Sequence, residues 1–488
     1  MSFLRKLKAI WNERSIENSF SLEGAVPLRQ AIPYGLQHVL AMFVSNVAAV
    51  LIIFTMITAK TSTSIDPDLS ANALRSAIFM AGLGTLIQLY PLGGKIGARL
   101  PLVTGASFTF IGILGMIGYT YGIGTMFLSV IVGGVAIILL GFFAHKWSRL
   151  IKPVVCALVV IALGLSLLTV GVRDFIGIDQ PGVMVDGVYQ FAVAWPFILV
   201  AFVTMITTIL WQIFVKGSRQ NLAILVGLGV GFAVACFFIP YNGMVDFSTF
   251  RFQSVSDFID VPRPIFTLIP MSWGDFNIGA ILIVLLIYII SIAENMGGLS
   301  TLTSSMYGRE PNGQEIRGLV TGCGLSGALC GFFGCVPTSV YAQNAGIVTS
   351  TKVINRFCIL MGALILILAS FFTPIATLLR CIPSCVLAGT LMSLFGSIAV
   401  IGMQMLSKTG FTKKNVLVAS IALCLGYGLT LIGEFTGSAG GYKDNVLNYL
   451  VVLLSNPVAN VFVLSFILSF AIPESFNDPN KPEEKKKE

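Results

Sequence analysis

The chain has 488 residues, 56% of them hydrophobic and 11% charged, with 30 Lys and Arg against 22 Asp and Glu; its mean hydropathy is +0.89. Soluble domains are about 45–50% apolar and about 25% charged, so the charges here are too few to coat a soluble surface of 52.3 kDa. This balance excludes a cytosolic globular enzyme, a disordered chain and, despite a net charge of +8, a nucleic-acid binder.

A membrane-spanning helix needs about 20 apolar residues. Apolar stretches at 33–58, 72–92, 100–119, 122–144, 151–171, 190–214, 220–240, 277–300, 317–336, 337–351, 355–379, 384–406, 414–433 and 446–472 predict fourteen segments. The expected fold is an all-α polytopic membrane protein. Arg5, Lys6 and Lys8 are followed by no short apolar core with a cleavage site, so no cleaved signal peptide is read. Alternating sides from an inner N-terminus leaves Lys60, Arg75, Arg173, Arg251, Arg263, Arg380 and Lys443 outside and every other Lys and Arg inside. That asymmetry is the positive-inside pattern, and one missed span would reverse every later loop. Both termini therefore read as cytoplasmic.

Most of the nine cysteines sit in apolar segments, where a thiol behaves as a small hydrophobe. Cys381 and Cys385 flank Ile-Pro-Ser in a short loop and leave a disulfide open as a reading. Among the acidic residues all but one fall in loops or tails. The remainder is Glu294, in Ile292-Ala293-Glu294-Asn295-Met296-Gly297-Gly298. A carboxylate at membrane depth is costly and faces a partner, a cavity or a substrate; the bland alternative is a Glu near a helix end that reaches water.

Two segments are short, broken and polar. Leu100-Pro-Leu-Val-Thr-Gly-Ala-Ser-Phe-Thr-Phe110 is the third of the first seven, and Val336-Pro-Thr-Ser-Val-Tyr-Ala-Gln-Asn-Ala-Gly346 the third of the last seven. Each opens on Pro and reaches a polar residue six positions later, Ser107 and Gln343. Interrupted segments in corresponding positions of two halves point to a transporter binding site. The expectation is a 7+7 inverted repeat with segments 3 and 10 part extended strand and part short helix. Extended backbone is tolerated at that depth only where protein or a water-filled cavity covers it, and each half-helix N-terminus carries a partial positive charge.

Gln343-Asn-Ala-Gly-Ile-Val-Thr-Ser-Thr-Lys352 resembles the signature of the nucleobase–ascorbate transporter (nucleobase–cation symporter) family, which reads Gln/Glu/Pro-Asn-x-Gly-x-x-x-x-Thr followed by Arg, Lys or Gly. Gln343, Asn344, Gly346, Thr351 and Lys352 fill the specified positions. Gln37-His38 in the first segment, Ser107-Phe108 in the third, Glu294 in the eighth and Ile382-Pro383 before the twelfth also match, and the resemblance spans residues 24–472. It implies a core domain (32–150 and 271–380) holding the substrate and a gate domain (151–270 and 381–473), between a cytoplasmic N-terminal segment 1–31 and a tail 474–488. It also implies uptake of a nucleobase across the plasma membrane (the bacterial inner membrane), with protons as coupling ion, no other cofactor, and a homodimer in the bilayer. Gln343 points to the xanthine and uric acid carriers of the bacterial purine type; a uracil:proton symporter is the alternative. Many purine-type members carry an Asp in the ninth segment where this chain has Cys323, a departure that bears on proton handling or purine preference.

The residue chemistry suits a planar base with donors and acceptors on its rim. The Gln343 amide offers one acceptor and two donor hydrogens, and a Glu294 carboxylate accepts charge-assisted bonds from base N–H groups. Phe108 is a candidate stacking face; Ser107 and Tyr341 are candidate polar contacts or packing residues. Glu294 is the first candidate for proton coupling, because burial disfavours its charged form, and His38 the second. Gln37, Asn295, Asn344, Gly346 and Thr351 read as supports, the two Asn residues as partners for backbone groups freed by the breaks. An intramembrane enzyme lacks support: the two His lie in different segments, and no His-Glu-x-x-His or Gly-x-Ser-x-Gly occurs. A channel fits broken helices around a carboxylate and an amide less well than binding and release do.

Overall fold

The computed structural model describes residues 15–61, 63–147, 150–178, 188–238, 258–435 and 453–473, with 180, 182–185, 245, 451 and 476. The predicted outer-loop residues Arg251 and Lys443 and the tail from 477 lie outside the described residues. In chain order the principal helices are α1 (Leu28–Thr61), α2 (Pro67–Leu89), α3 (Ile111–Tyr121), α4 (Ile123–Phe142), α5 (Pro153–Phe175), α6 (Phe191–Phe214) and α7 (Ala223–Phe237). They continue as α8 (Ile278–Tyr307), α9 (Gly313–Phe332), α10 (Ala342–Thr351), α11 (Arg356–Ser370), α12 (Ser384–Thr409), α13 (Lys413–Gly428) and α14 (Pro457–Ala471). Four short strands interrupt them: β1 (Thr104–Ala106), β2 (Met184–Val185), β3 (Val188–Tyr189) and β4 (Thr338–Val340). β2 and β3 form a small exposed hairpin.

Among the described residues seven helices are individually long and apolar enough to cross a membrane: α1, α4, α5, α6, α8, α12 and the run Lys413–Ile432. Their ends follow local chemistry. Asp66 precedes Pro67 and accepts from Asp68 N at 2.8 Å, a side-chain cap with Pro at the first turn. Asn312 and Glu315 form a reciprocal capping box on α9. Asn277, Asn355 and Asn456 cap α8, α11 and α14 more simply, each Oδ1 accepting one backbone N–H.

The helices meet through small residues. α4 packs on α9, α2 and α1 on α11, α5 on α12 and α14, and α6 on α7 and α12. A Cβ built on Gly134 would lie 2.4 Å from Ala328 N, and one on Gly164 of α5 would lie 2.4 Å from Ala399 N of α12. Close approach of this kind lets helices gain dispersion contacts where lipid supplies no hydrophobic drive. Gly164→Val is expected to lower the thermal midpoint of detergent-purified protein, by overpacking of about 1–3 kcal/mol. Gly396→Ala on α12, where an added Cβ meets nothing within 4 Å, should leave that midpoint unchanged.

The structure differs from the sequence reading at the start of the first helix and decides the open question of the Cys381–Cys385 pair. α1 begins at Leu28 rather than near 33, and residues 15–26 are docked: Asn355 Nδ2 donates to the carbonyls of Asn18, Ser21 and Gly24. Cys381 and Cys385 are both buried thiols not bridged to each other, and Cys381 Sγ donates to Thr377 O at 3.3 Å.

Candidate functional site

The two broken segments meet. β1 and β4 pair antiparallel with Thr104 opposite Val340, Gly105 opposite Ser339 and Ala106 opposite Thr338. Ser107 N donates to Pro337 O at 2.8 Å and Tyr341 N to Val103 O at 3.0 Å, extending the ladder at each end. All six strand residues are buried. A three-residue pair leaves alternate N–H groups pointing away from the partner strand, and at this depth each needs an acceptor. Three side chains supply it. Asn46 Oδ1 on α1 accepts from Ala106 N at 2.7 Å, Asn295 Oδ1 on α8 from Val340 N at 2.6 Å, and Thr85 Oγ1 on α2 from Thr104 N at 3.0 Å. Gly105 is dictated by crowding, since an added Cβ would lie 2.7 Å from Met42 and 2.9 Å from the Tyr341 ring.

Because the strands are antiparallel, the chain leaves the pair in opposite directions. After β1 it forms a 3-10 turn, Phe108–Phe110, and then α3; after β4 it enters α10 directly. Neither Ser107 nor Tyr341, at the two helix entrances, makes a side-chain cap. The first-turn N–H groups and positive ends of the two half-helices therefore start at opposite ends of the three-residue strand pair, without a side-chain cap.

Glu294 sits next to the Asn295 that holds β4, so one turn of α8 delivers both the strand brace and the carboxylate. Thr109 Oγ1 donates to Glu294 Oε2 at 2.6 Å; Thr109 is buried and Glu294 half-buried. Ser107 is fully buried, and its Oγ has no partner among the described residues. The Phe108 ring packs edge-on against Phe395 of α12, centroids 5.4 Å apart at 81°. Tyr341 is buried, and its hydroxyl donates to Ala106 O at 2.9 Å, tying the two strands together.

The remaining expected residues lie around this centre. His38 is buried with Nδ1 lacking a partner among the described residues, and Asn344 Nδ2 donates to His38 O at 3.4 Å and approaches Met42 Sδ at 3.7 Å. The Gln37 Oε1 atom is also buried without a partner among the described residues. Gln343 stands in the first turn of α10; its side chain lies outside the described residues. Gly346 is exposed, and an added Cβ would meet nothing within 4 Å. Thr351 is eight residues beyond Gln343, about 12 Å along a helix, and back-bonds to Ile347 O at 2.8 Å; it serves the end of α10 rather than the strand pair. Cys323 is buried in α9 and receives Gln88 Nε2 at 3.6 Å, while Gln88 also bonds Leu319 O and Ala98 N.

Sequence reading passed over Asn46, Thr85 and Thr109. Asn46 was findable as an amide inside an apolar run, Val44-Ser45-Asn46-Val47, since an amide at membrane depth needs a partner. Thr109 and Ser107 are both in the broken segment, and only the fold shows which hydroxyl reaches Glu294. A cavity of about 480 Å³ begins at Met296 and Gly297, within one turn of Glu294. It passes between α8, α5 and α12 to a rim carrying Lys152, Glu310 and Lys408. It therefore opens on the side where the basic residues accumulate.

Residues 29–435 match the sequence profile of the Permease family, Xan_ur_permease. The chain is 28% identical over 413 residues to the xanthine permease of Bacillus subtilis, covering 83% of this chain and 86% of that one. It is 30% identical over 417 residues to the uric acid permease PucK of the same organism, covering 84% and 90%. It is 26% identical over 479 residues to the xanthine permease XanQ of Escherichia coli, covering 94% and 95%. Among solved structures, the transmembrane domain of a cyanobacterial bicarbonate transporter, BicA, superposes with a TM-score of 0.52 at 15% identity, covering 91% and 98%, a likeness of fold alone. With its paired half-segments, its braced carboxylate and a profile match over most of its length, the chain is a multi-pass membrane transporter, not an enzyme, and it belongs to the nucleobase–ascorbate transporter family of permeases.

Proposed function

We propose that this permease takes up a purine nucleobase, xanthine or uric acid, together with protons by alternating access. The observation that carries the reading is the Glu294 carboxylate, fixed by Thr109 beside two half-helix N-termini. Such a group accepts bonds from the N–H edge of a planar base, and charge-assisted bonds are roughly twice as strong as neutral ones. The names of the relatives, xanthine and uric acid permeases, support a purine, as does Gln343 at the first motif position.

The fourteen principal helices among the described residues, with β1 and β4 leading into the third and tenth, support fourteen spans in a 7+7 inverted repeat. The packing of α1–α4 with α8–α11, and of α5–α7 with α12–α14, supports a core of 32–150 and 271–380 moving against a gate of 151–270 and 381–473. The 480 Å³ cavity supports a resting state open to the cytoplasm. Both termini then lie inside, the membrane is the bacterial inner membrane, and the working unit is a homodimer. Substrate contacts fall to Glu294, Gln343 and Ser107, with the Phe108 and Tyr341 rings flanking; Glu294 carries the coupling proton, with His38 as second group. Gln37, Asn295 and Asn344 support them, while Thr351, with Gly346 on the same short helix, serves the end of α10. A proton on Glu294 removes the bare charge that would otherwise have to cross with the moving core.

Purified protein in liposomes is expected to accumulate labelled xanthine faster under an inward proton gradient; uptake indifferent to the gradient removes proton coupling. The second reading, a uracil symporter, rests on the same fold with Glu in place of Gln at the first motif position. Gln343→Glu exchanges a group with donors and an acceptor for one that only accepts when ionised. Xanthine competition should weaken by at least about tenfold, the loss of roughly one good hydrogen bond, and an unchanged substrate profile would show that position 343 does not set specificity.

A further inference from the structure

The basic side of the protein holds a second recess, chemically unlike the first. The segment before α1 runs across it, held by the three Asn355 bonds and by Ile354 N and Arg356 N donating to Ser19 O and Leu22 O. Beneath Leu22–Ala25 lies a cavity of about 650 Å³. It shares Glu23, Arg99 and Arg356 with an adjoining cavity of about 370 Å³ that adds Lys95 and Arg317. One wall is apolar, formed by Leu89, Tyr90 and Phe357; the other is cationic.

The charges do not balance. Glu315 is spent on Arg309, with bonds of 2.7 and 2.9 Å, and on Asn312 N. Glu23 alone faces two guanidiniums, 3.2 Å from Arg356 Nη1 and 4.0 Å from Arg99 Nη2, and its own side chain is 70% exposed. Lys95 and Arg317 have no acidic partner among the described residues. The Arg356 side chain is only 9% exposed, and its Nε is buried without an acceptor while Nη2 donates to Arg99 O. Nε is thus a desolvated, unspent donor on the residue type whose planar donors suit phosphate best.

We propose that this recess binds a phosphate-bearing anion, with Arg356 and Arg99 on the phosphate and Leu89, Tyr90 and Phe357 against the apolar remainder. Two sources reach this face: the headgroup of an anionic phospholipid in the adjacent leaflet, and a soluble phosphate ester. Either occupant displaces Glu23 from Arg356 and bridges the docked segment to the start of α11. The site shares no residue with the Glu294 centre, and a neutral base lacks the charge to fill it.

The test uses full-length protein in detergent and reads the thermal midpoint in two arms. One compares dioleoylphosphatidylglycerol with dioleoylphosphatidylcholine; the other compares glycerol 1-phosphate with sodium chloride at equal ionic strength. The midpoint should rise above control in at least one arm, the lipid arm alone identifying a headgroup and the soluble arm a phosphate ester. Arg99→Gln, at an exposed position that leaves the core untouched, should at least halve the shift. Glu23→Gln, which removes the competing carboxylate, should lower the half-saturating concentration. No shift in either arm, or a full shift in Arg99→Gln, overturns the proposal. Arg356→Lys keeps the charge and loses the fork, and should behave as Arg99→Gln does; if it fails to fold, Arg99→Gln and Glu23→Gln still decide.

Discussion

Glu294→Gln is expected to abolish gradient-driven purine accumulation while the protein remains in the membrane at its usual level. The substitution is nearly isosteric, so the Thr109 hydroxyl, now 2.6 Å from Oε2, keeps an oxygen to donate to and the turn of α8 keeps its shape. What disappears is the charge and one acceptor. A hydrogen bond to a charged group contributes about 1.5–3 kcal/mol, so affinity should fall about 10- to 100-fold. The proton binding site disappears as well, and residual uptake should no longer respond to the gradient. Thr109→Val is the graded companion: it removes only the donor that orients Oε2, and should weaken uptake less than Glu294→Gln does. Labelled-xanthine uptake in proteoliposomes, with and without an imposed proton gradient, measures both. Full activity in Glu294→Gln would remove this residue from the site.

Asn46→Ala and Asn295→Ala should each destabilise the protein and disable transport through the backbone rather than the ligand. Each leaves a buried strand N–H, that of Ala106 or Val340, without its acceptor. An unsatisfied buried donor costs about 1–3 kcal/mol, and no lipid group replaces the lost partner. The expected readout is a thermal midpoint lower by a few degrees together with lost uptake. Asn46→Asp retains an acceptor oxygen and should recover more of the stability than Ala does. The double Ala variant should depart from additivity, because both amides grip one short strand pair. A midpoint unchanged in Asn46→Ala would mean that the strand pair does not depend on this brace.

Much of the candidate site was legible in the sequence. Glu294 stood out because membrane solvent makes every charge conspicuous: once the others were assigned to loops and tails, one carboxylate was left. Pro101 and Pro337 marked the two breaks because proline and extended backbone are readable locally. The same logic failed for Thr109, Thr85 and Asn46. Hydroxyls and amides are common in spans and can bond their own helix, as Thr85 Oγ1 also does with Ala81 O at 2.7 Å. Tyr341 had two readings, ligand contact or packing, and its hydroxyl is spent on Ala106 O, a partner 235 residues away in the chain. Cys381 and Cys385 were close enough in sequence to pair, yet both are buried without a bridge between them.

Composition, charge placement and motif spacing therefore determined a multi-pass membrane protein and the residue types of the candidate site, because these follow from local hydropathy and backbone preference. Only the tertiary structure decided that β1 pairs with β4, which side chain answers each freed N–H, and which hydroxyl reaches Glu294. Those pairings join residues from distant segments, and their partners are selected by the packing of helices through glycine contacts, which no local pattern encodes.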